Sequence, residues 1–274
     1  MPSYDSSRGR FRLSGKHLAV LGYMTDGEQV ATDLMTPQQG LIESGLIDSD
    51  GNISILLAPL ISALTDPTVT ITVESLGEFG RLHHGLVIGD GFAFSHESWP
   101  GEEEVEYVQL EPIMLVWALA RMVNLQPSDL PQGEINAIDS KMSVLDAGLA
   151  TLNSSPNFEA DSATQKIREE LSAQGLLEPE LSTLSALLAE LRSSWRMIAT
   201  WQGEDEGRAG LKSRGFAIWD CGPLGYWHRE LPAEPILHGQ ISPESPLRLV
   251  RVEAKQVWEM ITNVFPGSGE FATP

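Results

Sequence analysis

Histidines and nearby carboxylates are the residues of this chain best suited to metal or acid–base chemistry. His83 and His84 precede His96 and Glu97 in a segment that a hairpin could fold back on itself. Such a hairpin would gather imidazole nitrogens and a carboxylate, and a catalytic zinc ion needs three protein ligands on one converging face. Adjacent strand residues point to opposite faces, so at most one of His83 and His84 joins the group. A His/carboxylate metal-dependent enzyme is therefore the least favoured class of function, and we expect no metal and no cofactor.

Other catalytic groups are poorly placed for chemistry. Residues 14–16 (Ser-Gly-Lys) lack the upstream glycine of a Walker phosphate-binding loop, and no Gly-x-Ser-x-Gly motif presents a serine nucleophile. The single cysteine, Cys221, excludes an intramolecular disulfide, and its acidic neighbour raises rather than lowers a thiol pKa. The run of glutamates in residues 102–106 is typical of a solvated loop. The sequence therefore predicts a protein that is not an enzyme.

The charge balance excludes two classes of partner. Thirty-eight acidic residues against 18 basic ones give a net charge of −20, which repels nucleic-acid phosphates and anionic lipid. Such a charge keeps any protein soluble, and it also suits a protein that holds a hydrophobic client without self-associating.

The first residues contain no apolar signal segment. The longest apolar run, residues 112–123, is far shorter than the roughly 20 residues of a spanning helix. We therefore expect a cytoplasmic protein with no nucleic-acid partner and no membrane insertion.

The sequence contains an internal repeat, so the elements that must position any site occur twice along the chain. Residues 85–91 begin Gly-Leu-Val-Ile, and residues 215–221, 130 positions later, begin Gly-Phe-Ala-Ile. The same offset carries residues 45–47 onto residues 175–177. Repeats of solenoid proteins are only about 20–50 residues long, so a period of this length indicates a duplicated half-domain.

The duplication predicts one domain, residues 1–274, with a pseudo-two-fold axis. Its first repeat is residues 10–126 and its second is residues 134–265, and ten to twelve residues at each end are expected to fray. Trp117 and Trp258 occupy equivalent places in the two closing helices. Because both helices are mostly apolar, we expect both indoles to be largely buried.

Periodicity and turn residues predict the elements of each repeat. In the first, Ser14 caps a helix, Gly45 ends one, and Asp90-Gly91 forms a type I′ hairpin turn. Its strands are residues 11–13, 68–74, 86–88, 92–94 and 105–110, and its helices are residues 16–23, 41–46, 53–64 and 113–124. In the second, the strands are residues 135–138, 195–201, 211–219 and 225–230, the helices are residues 142–152, 165–174, 181–191 and 252–264, and residues 153–163 are a loop.

Aromatic residues supply a candidate binding surface. Most of them belong in the core of the sheet, but a duplicated sheet is wide, and helices leave part of its surface open. Trp219, Tyr226 and Trp227 are the aromatic residues that we expect at this open surface. An apolar, aromatic groove is a surface that a helical partner uses.

The order of these segments resembles that of a known family. Residues 41–48 (Leu-Ile-Glu-Ser-Gly-Leu-Ile-Asp), the apolar helix over residues 52–64 and the alternating strand over residues 68–74 are similar to the first half of the EspG family. These proteins are ESX (type VII) secretion-associated chaperones of actinobacteria. The strands of the second half, followed by residues 241–245 opening helical structure, resemble the end of the family's fold. The resemblance covers roughly residues 10–265.

This resemblance implies a fold, a partner and a site. The fold is α+β and pseudo-two-fold, with a central, mainly antiparallel sheet and flanking helical bundles. The protein is a non-catalytic cytosolic chaperone that holds a PE–PPE-like helical heterodimer before export. The loop between the first two meander strands, here residues 76–84, binds the tip of the client's helical hairpin. The contact residues expected in this loop are Leu76, Glu78, Phe79, Arg81 and His83.

Two departures from the family pattern leave other partners open. Residues 19–39 are more polar than in the family, and the insert at residues 100–106 is foreign to it. The client is therefore either PE–PPE-like or another helical-hairpin substrate of an ESX system. The alternative class of function is a structural or regulatory protein that forms a homodimer and has no secretion client.

Overall fold

A single antiparallel sheet of eleven strands organises the described part of the chain. The computed structural model describes residues 1–127, 135–153, 160–205 and 208–271. The strands are β1 (Ser3–Asp5), β2 (Arg10–Leu13), β3 (Val69–Gly77), β4 (Gly80–Gly89), β5 (Phe92–Ser98), β6 (Val105–Gln109), β7 (Ala137–Lys141), β8 (Ser193–Asp205), β9 (Arg208–Asp220), β10 (Tyr226–Glu230) and β11 (Pro246–Val252). Their order across the sheet is β1-β2-β6-β5-β4-β3-β8-β9-β10-β11-β7.

The strand order is the same in both directions from the centre of the sheet. Outward from β3 it runs through β4, β5, β6 and β2, and outward from β8 it runs through β9, β10, β11 and β7. At the centre Thr72 pairs with Ile198; Thr72 also faces Gly85, and Ile198 also faces Gly215. The pseudo-two-fold axis therefore passes through the Thr72–Ile198 pair. The predicted α+β, pseudo-two-fold fold is confirmed, whereas the exact repeat limits remain a prediction.

Helices cover the two faces of the sheet differently. The helices are α1 (Gly15–Thr25), α2 (Met35–Glu43), α3 (Ala58–Thr65), α4 (Leu115–Met122), α5 (Met142–Asn153), α6 (Ala160–Ala173), α7 (Glu180–Ala189) and α8 (Ala254–Asn263). On one face, here called the helix-pair face, α4 and α8 pack over the central strands. On the other, α1–α3 cover the strands of the first half and α5–α7 cover those of the second. This second face is called the groove face.

Several predicted local signals are confirmed. The side chain of Ser14 accepts a hydrogen bond from the His17 backbone N–H and caps α1. Asp90 and Gly91 have φ values of 50° and 77°, as a type I′ turn between β4 and β5 requires. Gly45, with φ 71°, follows α2 and adopts the left-handed conformation expected after a helix end.

Two predicted elements differ in the structure, and one strand was not predicted. The helix expected over residues 53–64 begins later, because Ile53 pairs with Ile47 in a short bridge; a 3₁₀ turn (Ile55–Leu57) then leads into α3. Residues 241–245 form bends rather than a helix and lead into β11. Strand β11 was missed, although its buried leucines alternate with arginine.

The N-terminus is not frayed, contrary to expectation. Strand β1 pairs with β2, and the N-terminal ammonium lies 2.5 Å from Glu104. Arg10 pairs with Glu106 at 2.8 Å, and Arg12 pairs with Glu102. Glu102, Glu104 and Glu106 therefore hold the edge of the sheet instead of forming only a solvated loop.

The other expected irregular regions are only partly described. Of the predicted loop at residues 153–163, positions 154–159 lie outside the described residues, and α6 begins earlier than predicted. Residues 272–274 also lie outside them. The segment before them is docked, because the indole N–H of Trp201 donates to the backbone oxygen of Glu270 at 3.1 Å.

Candidate functional site

The centre of the groove face is left open between the two three-helix layers. Along β3, Val69, Ile71 and Val73 are buried against the helix pair. The alternate residues of β3 lie on the opposite face of the sheet, and there Thr72 and Glu74 are exposed. This uncovered strip along β3 and β8 is called the central groove. An exposed surface at the middle of an eleven-stranded sheet offers room for a partner's helix.

A hairpin with an apolar tip stands at one end of the central groove. Strands β3 and β4 pair as far as Gly77 and Gly80, so only Glu78 and Phe79 form the turn. Gly80, with φ 81°, lets the chain reverse there. The expectation of a loop over residues 76–84 is thus corrected, because cross-strand pairing continues nearly to the tip.

The hairpin holds its predicted contact residues at the surface. Phe79 is 68% exposed and Leu76 is 53% exposed. Arg81 lies directly across from Leu76, and His83 lies across from Glu74 on the same face. Glu78 is exposed beside Phe79. The structure therefore brings Leu76, Arg81 and His83 together on the groove face, with Glu78 and Phe79 at the tip.

The three aromatic residues expected at the open surface belong instead to the core. Trp227 is fully buried, and its indole N–H donates to the Leu224 backbone oxygen at 3.2 Å. Trp219 is 4% exposed beneath the helix layer of the second half. Tyr226 is also 4% exposed, and its hydroxyl accepts from the Gln126 backbone N–H at 2.9 Å. The expectation that these residues lie at an open surface was wrong, because they pack in the core beneath the helices that cover the sheet.

The two equivalent tryptophans of the closing helices are also placed differently from expectation. Trp117 is 60% exposed and Trp258 is partly buried. Their rings pack edge to face with centroids 4.6 Å apart. The helices α4 and α8 therefore meet through these indoles on their outer side, and the expectation that Trp117 is largely buried was wrong.

The sequence analysis missed two arginines at the hairpin end of the groove. Arg196 and Arg229 line a cavity of about 360 Å³ together with Leu76 and Arg81 of the hairpin. A guanidinium nitrogen of Arg196 lies 2.5 Å from a carboxylate oxygen of Glu234. Strand alternation could have placed both arginines on one face, but only the pairing of β8, β9 and β10 brings them to one cavity.

The histidines do not converge on one point. His84 lies on the helix-pair face, whereas His83 and His96 lie on the groove face. The ring of His96 packs over Gly85, at the place that a larger residue's side chain would occupy. Within residues 1–127, 135–153, 160–205 and 208–271, no group of three or more His, Cys, Asp and Glu side chains is arranged to hold a metal ion.

Acidification is expected to destabilise the fold through His96. Burial lowers the pKa of His96 from the ordinary value of 6.5 to about 4. Between these values the unfolded chain binds a proton that the folded chain does not. The stability that the fold gains from keeping His96 neutral is therefore fully present above about pH 6.5 and is lost as the pH falls toward about 4. The shift corresponds to about 3 kcal/mol of unfolding free energy. Denaturant titrations of the wild type and His96→Gln at about pH 7 and about pH 4.5 measure it.

A second histidine variant serves as the control for this experiment. Burial also lowers the pKa of His17, His84 and His228, so His96→Gln should reduce the pH dependence without abolishing it. The exposed His238 makes His238→Gln a matched change, expected to keep the full dependence. An unchanged pH dependence in His96→Gln would contradict the assignment.

Cys221 is buried away from any reactive position. Its thiol has no exposed surface, and burial, followed by the nearby carboxylates of Asp220 and Glu190, raises its pKa. A thiol in this state forms little of the nucleophilic thiolate. The residue therefore packs as a small apolar side chain.

Comparison with known proteins identifies a related fold. No family model and no curated protein matches this sequence. One similar solved structure is the type VII secretion system chaperone EspG5 of Mycobacterium tuberculosis, in complex with the PE25–PPE41 dimer. The match has a TM-score of 0.55 and covers 96% of this chain and 100% of that chain. The fold is similar to that of EspG5. At 10% sequence identity, this likeness to EspG5 shows the fold alone. No helix among the described residues has the length and apolar character needed to cross a membrane.

Proposed function

We propose that this protein is a non-catalytic chaperone that holds a helical-hairpin client of a type VII (ESX) secretion system before export. One observation carries the proposal: Leu76 and Phe79 are exposed on a hairpin at the end of an open groove. Leu76 is a strand residue on the groove face, and Phe79 lies at the turn. Large apolar side chains that are exposed in this way are typical of a surface that a partner protein buries.

The shape of the groove favours a helical partner. Its floor is formed by the central strands, and its walls are the helix layers α1–α3 and α5–α7. Both strands at the centre of the floor, β3 and β8, are already paired on each side, so the groove has no free strand edge for an extended peptide. A helix lying in a groove needs no such edge and contributes its apolar side chains.

Similarity to EspG5 supports the client class. The solved EspG5 structure contains a PE25–PPE41 dimer. A PE–PPE-like dimer or another helical-hairpin substrate is therefore the client that we propose for this chain. The net charge of −20 would keep the chaperone monodisperse while it presents an apolar tip.

Replacing the two exposed hairpin residues is expected to abolish client retention without unfolding the protein. Because both side chains are mostly in solvent, Leu76→Ser with Phe79→Ser should change the unfolding free energy by no more than about 0.5–1 kcal/mol. The host's PE–PPE-type and WXG-type hairpin proteins, each coexpressed with the tagged chain, provide the retention assay. Thermal melting of the purified variant provides the stability measurement.

Leu211→Ser is the matched control. Leu211 is 70% exposed and, with Gln202, forms the cross-strand pair equivalent by pseudo-symmetry to Arg81 with Leu76. Its replacement should leave retention unchanged. Full retention of a hairpin protein by the double variant would refute contact through the β3–β4 hairpin. A large fall in melting temperature would show instead that Leu76 and Phe79 stabilise the fold.

A further inference from the structure

Three guanidinium groups share one cavity at the hairpin end of the central groove. Arg81 of β4, Arg196 of β8 and Arg229 of β10 all line the space of about 360 Å³. Leu231, Ile236 and Ile241 supply apolar wall beside them. In a chain with 18 basic and 38 acidic residues, this local concentration of arginine is a departure from the general charge balance.

The pseudo-two-fold axis provides an internal comparison for this cavity. The relation that carries Thr72 onto Ile198 and Gly85 onto Gly215 also pairs each arginine with a position at the opposite end of the groove. The counterparts of Arg81, Arg196 and Arg229 are Leu211, Thr70 and Phe94, respectively. Phe94 is 1% exposed and packs in the core. The fold therefore does not need a cation at these positions, and arginine occurs at one end only.

Two of the three guanidinium groups lack a carboxylate in contact. Arg196 is paired with Glu234, whose side chain is 5% exposed. Arg229 donates to the sulfur of Met142 at 3.2 Å, and within the described ranges neither it nor Arg81 forms an ion pair.

The electrostatic setting of Arg229 favours an added anion. Burial lowers its pKa, the charge of Asp146 opposes that effect, and the charge of Arg196 adds to it. Glu74 also lines the cavity but is exposed to solvent. Arg229 is partly buried, and a cation with reduced access to water is stabilised by a partner that brings negative charge to it.

We propose that this cavity binds a carboxylate side chain of the client, located next to the apolar client residues that cover Leu76 and Phe79. The inference rests on the proposed function and specifies it: the client's tip carries an acidic residue beside an apolar one. The guanidinium group of arginine binds a carboxylate through two parallel hydrogen bonds, which fix the orientation of the carboxylate as well as adding affinity. The cavity thereby sets the register of the client's helix along the groove.

A small-molecule probe tests the cavity without any client. The probe is 4-phenylbutyrate, a carboxylate with an apolar tail, and 4-phenylbutanamide is its neutral control. We expect saturable shifts of the Nε–Hε resonances of Arg81 and Arg229 in isotope-labelled protein with the carboxylate alone. Arg81→Gln, at an exposed position, should weaken binding about tenfold, and Arg229→Gln should do the same. Arg8→Gln, which removes the same charge at the sheet edge, should leave binding unchanged.

Each outcome decides the inference separately from the proposed function. The absence of a saturable shift with 4-phenylbutyrate would overturn the inference. Equal shifts with inorganic phosphate would also overturn it, because they would indicate a site for free anions. In the coexpression assay, Arg81→Gln with Arg229→Gln should reduce retention of the hairpin protein about tenfold or more. Unchanged retention there, with loss in Leu76→Ser/Phe79→Ser, would overturn the carboxylate contact but leave the chaperone function standing. If Arg229→Gln fails to fold, Arg81→Gln alone decides both arms.

Discussion

Gly85→Ala is expected to lower the free energy of unfolding by about 3 kcal/mol or more. A methyl group at this position would fall well inside contact distance of the Ile71 backbone oxygen and 2.6 Å from Nε2 of His96. The backbone oxygen belongs to a paired central strand and cannot move without breaking the ladder around it. The close approach at Gly85 is therefore a requirement of the fold, and chemical denaturation at neutral pH measures its size.

Substitutions at two other glycines provide comparisons for Gly85→Ala. At the pseudo-equivalent Gly215, the added methyl group would lie 2.8 Å from the Met197 backbone oxygen, so Gly215→Ala should cost about 1–3 kcal/mol. At Gly210, also in β9, nothing lies within 4 Å, and Gly210→Ala should be nearly neutral. Equal stabilities of the Gly85 and Gly210 variants would contradict the close packing at the sheet centre.

Trp227→Ala is expected to cost about 3–5 kcal/mol, whereas Trp117→Ala should cost about 1 kcal/mol or less. Trp227 has no exposed surface, and Arg251 stacks over its ring at 5.1 Å. Trp117 is 60% exposed, and its ring packs edge to face against that of Trp258. The two variants remove the same side chain, so the difference between their denaturation midpoints measures the burial of Trp227 together with its hydrogen bond to Leu224 and its contact with Arg251. Similar losses in both would contradict the assignment of Trp227 to the core.

Much of the fold could be predicted because local chemistry and long-range packing agree. Gly85 and Gly215 marked the repeat, and each allows the close approach of an equivalent backbone oxygen, from Ile71 and from Met197. The Asp90–Gly91 turn fixed the β4–β5 hairpin. Strand β11 escaped notice because the preceding residues carry turn and proline signals and because its own alternation is broken by the adjacent Val250 and Arg251.

The candidate site was predictable only in part. Leu76 and Phe79 lie close to Gly77 and Gly80, which mark a turn where apolar side chains remain uncovered. Trp219 and Trp227 were misplaced because residue type does not reveal which sheet surface a later helix layer covers. The arginine cavity depends on strands far apart in the sequence, so no local pattern brings its members together.

Photo-crosslinking at the hairpin tip tests the central claim most directly. The crosslinking amino acid p-benzoylphenylalanine replaces Phe79 in one variant and Leu211, at the pseudo-equivalent hairpin, in another. Crosslinked peptides from the host are then identified by mass spectrometry. Position 79 should react with the segment joining the two helices of a type VII hairpin protein, and position 211 should not. Crosslinking of position 79 only to a second copy of this chain, or equal capture of the hairpin protein at both positions, would contradict the account.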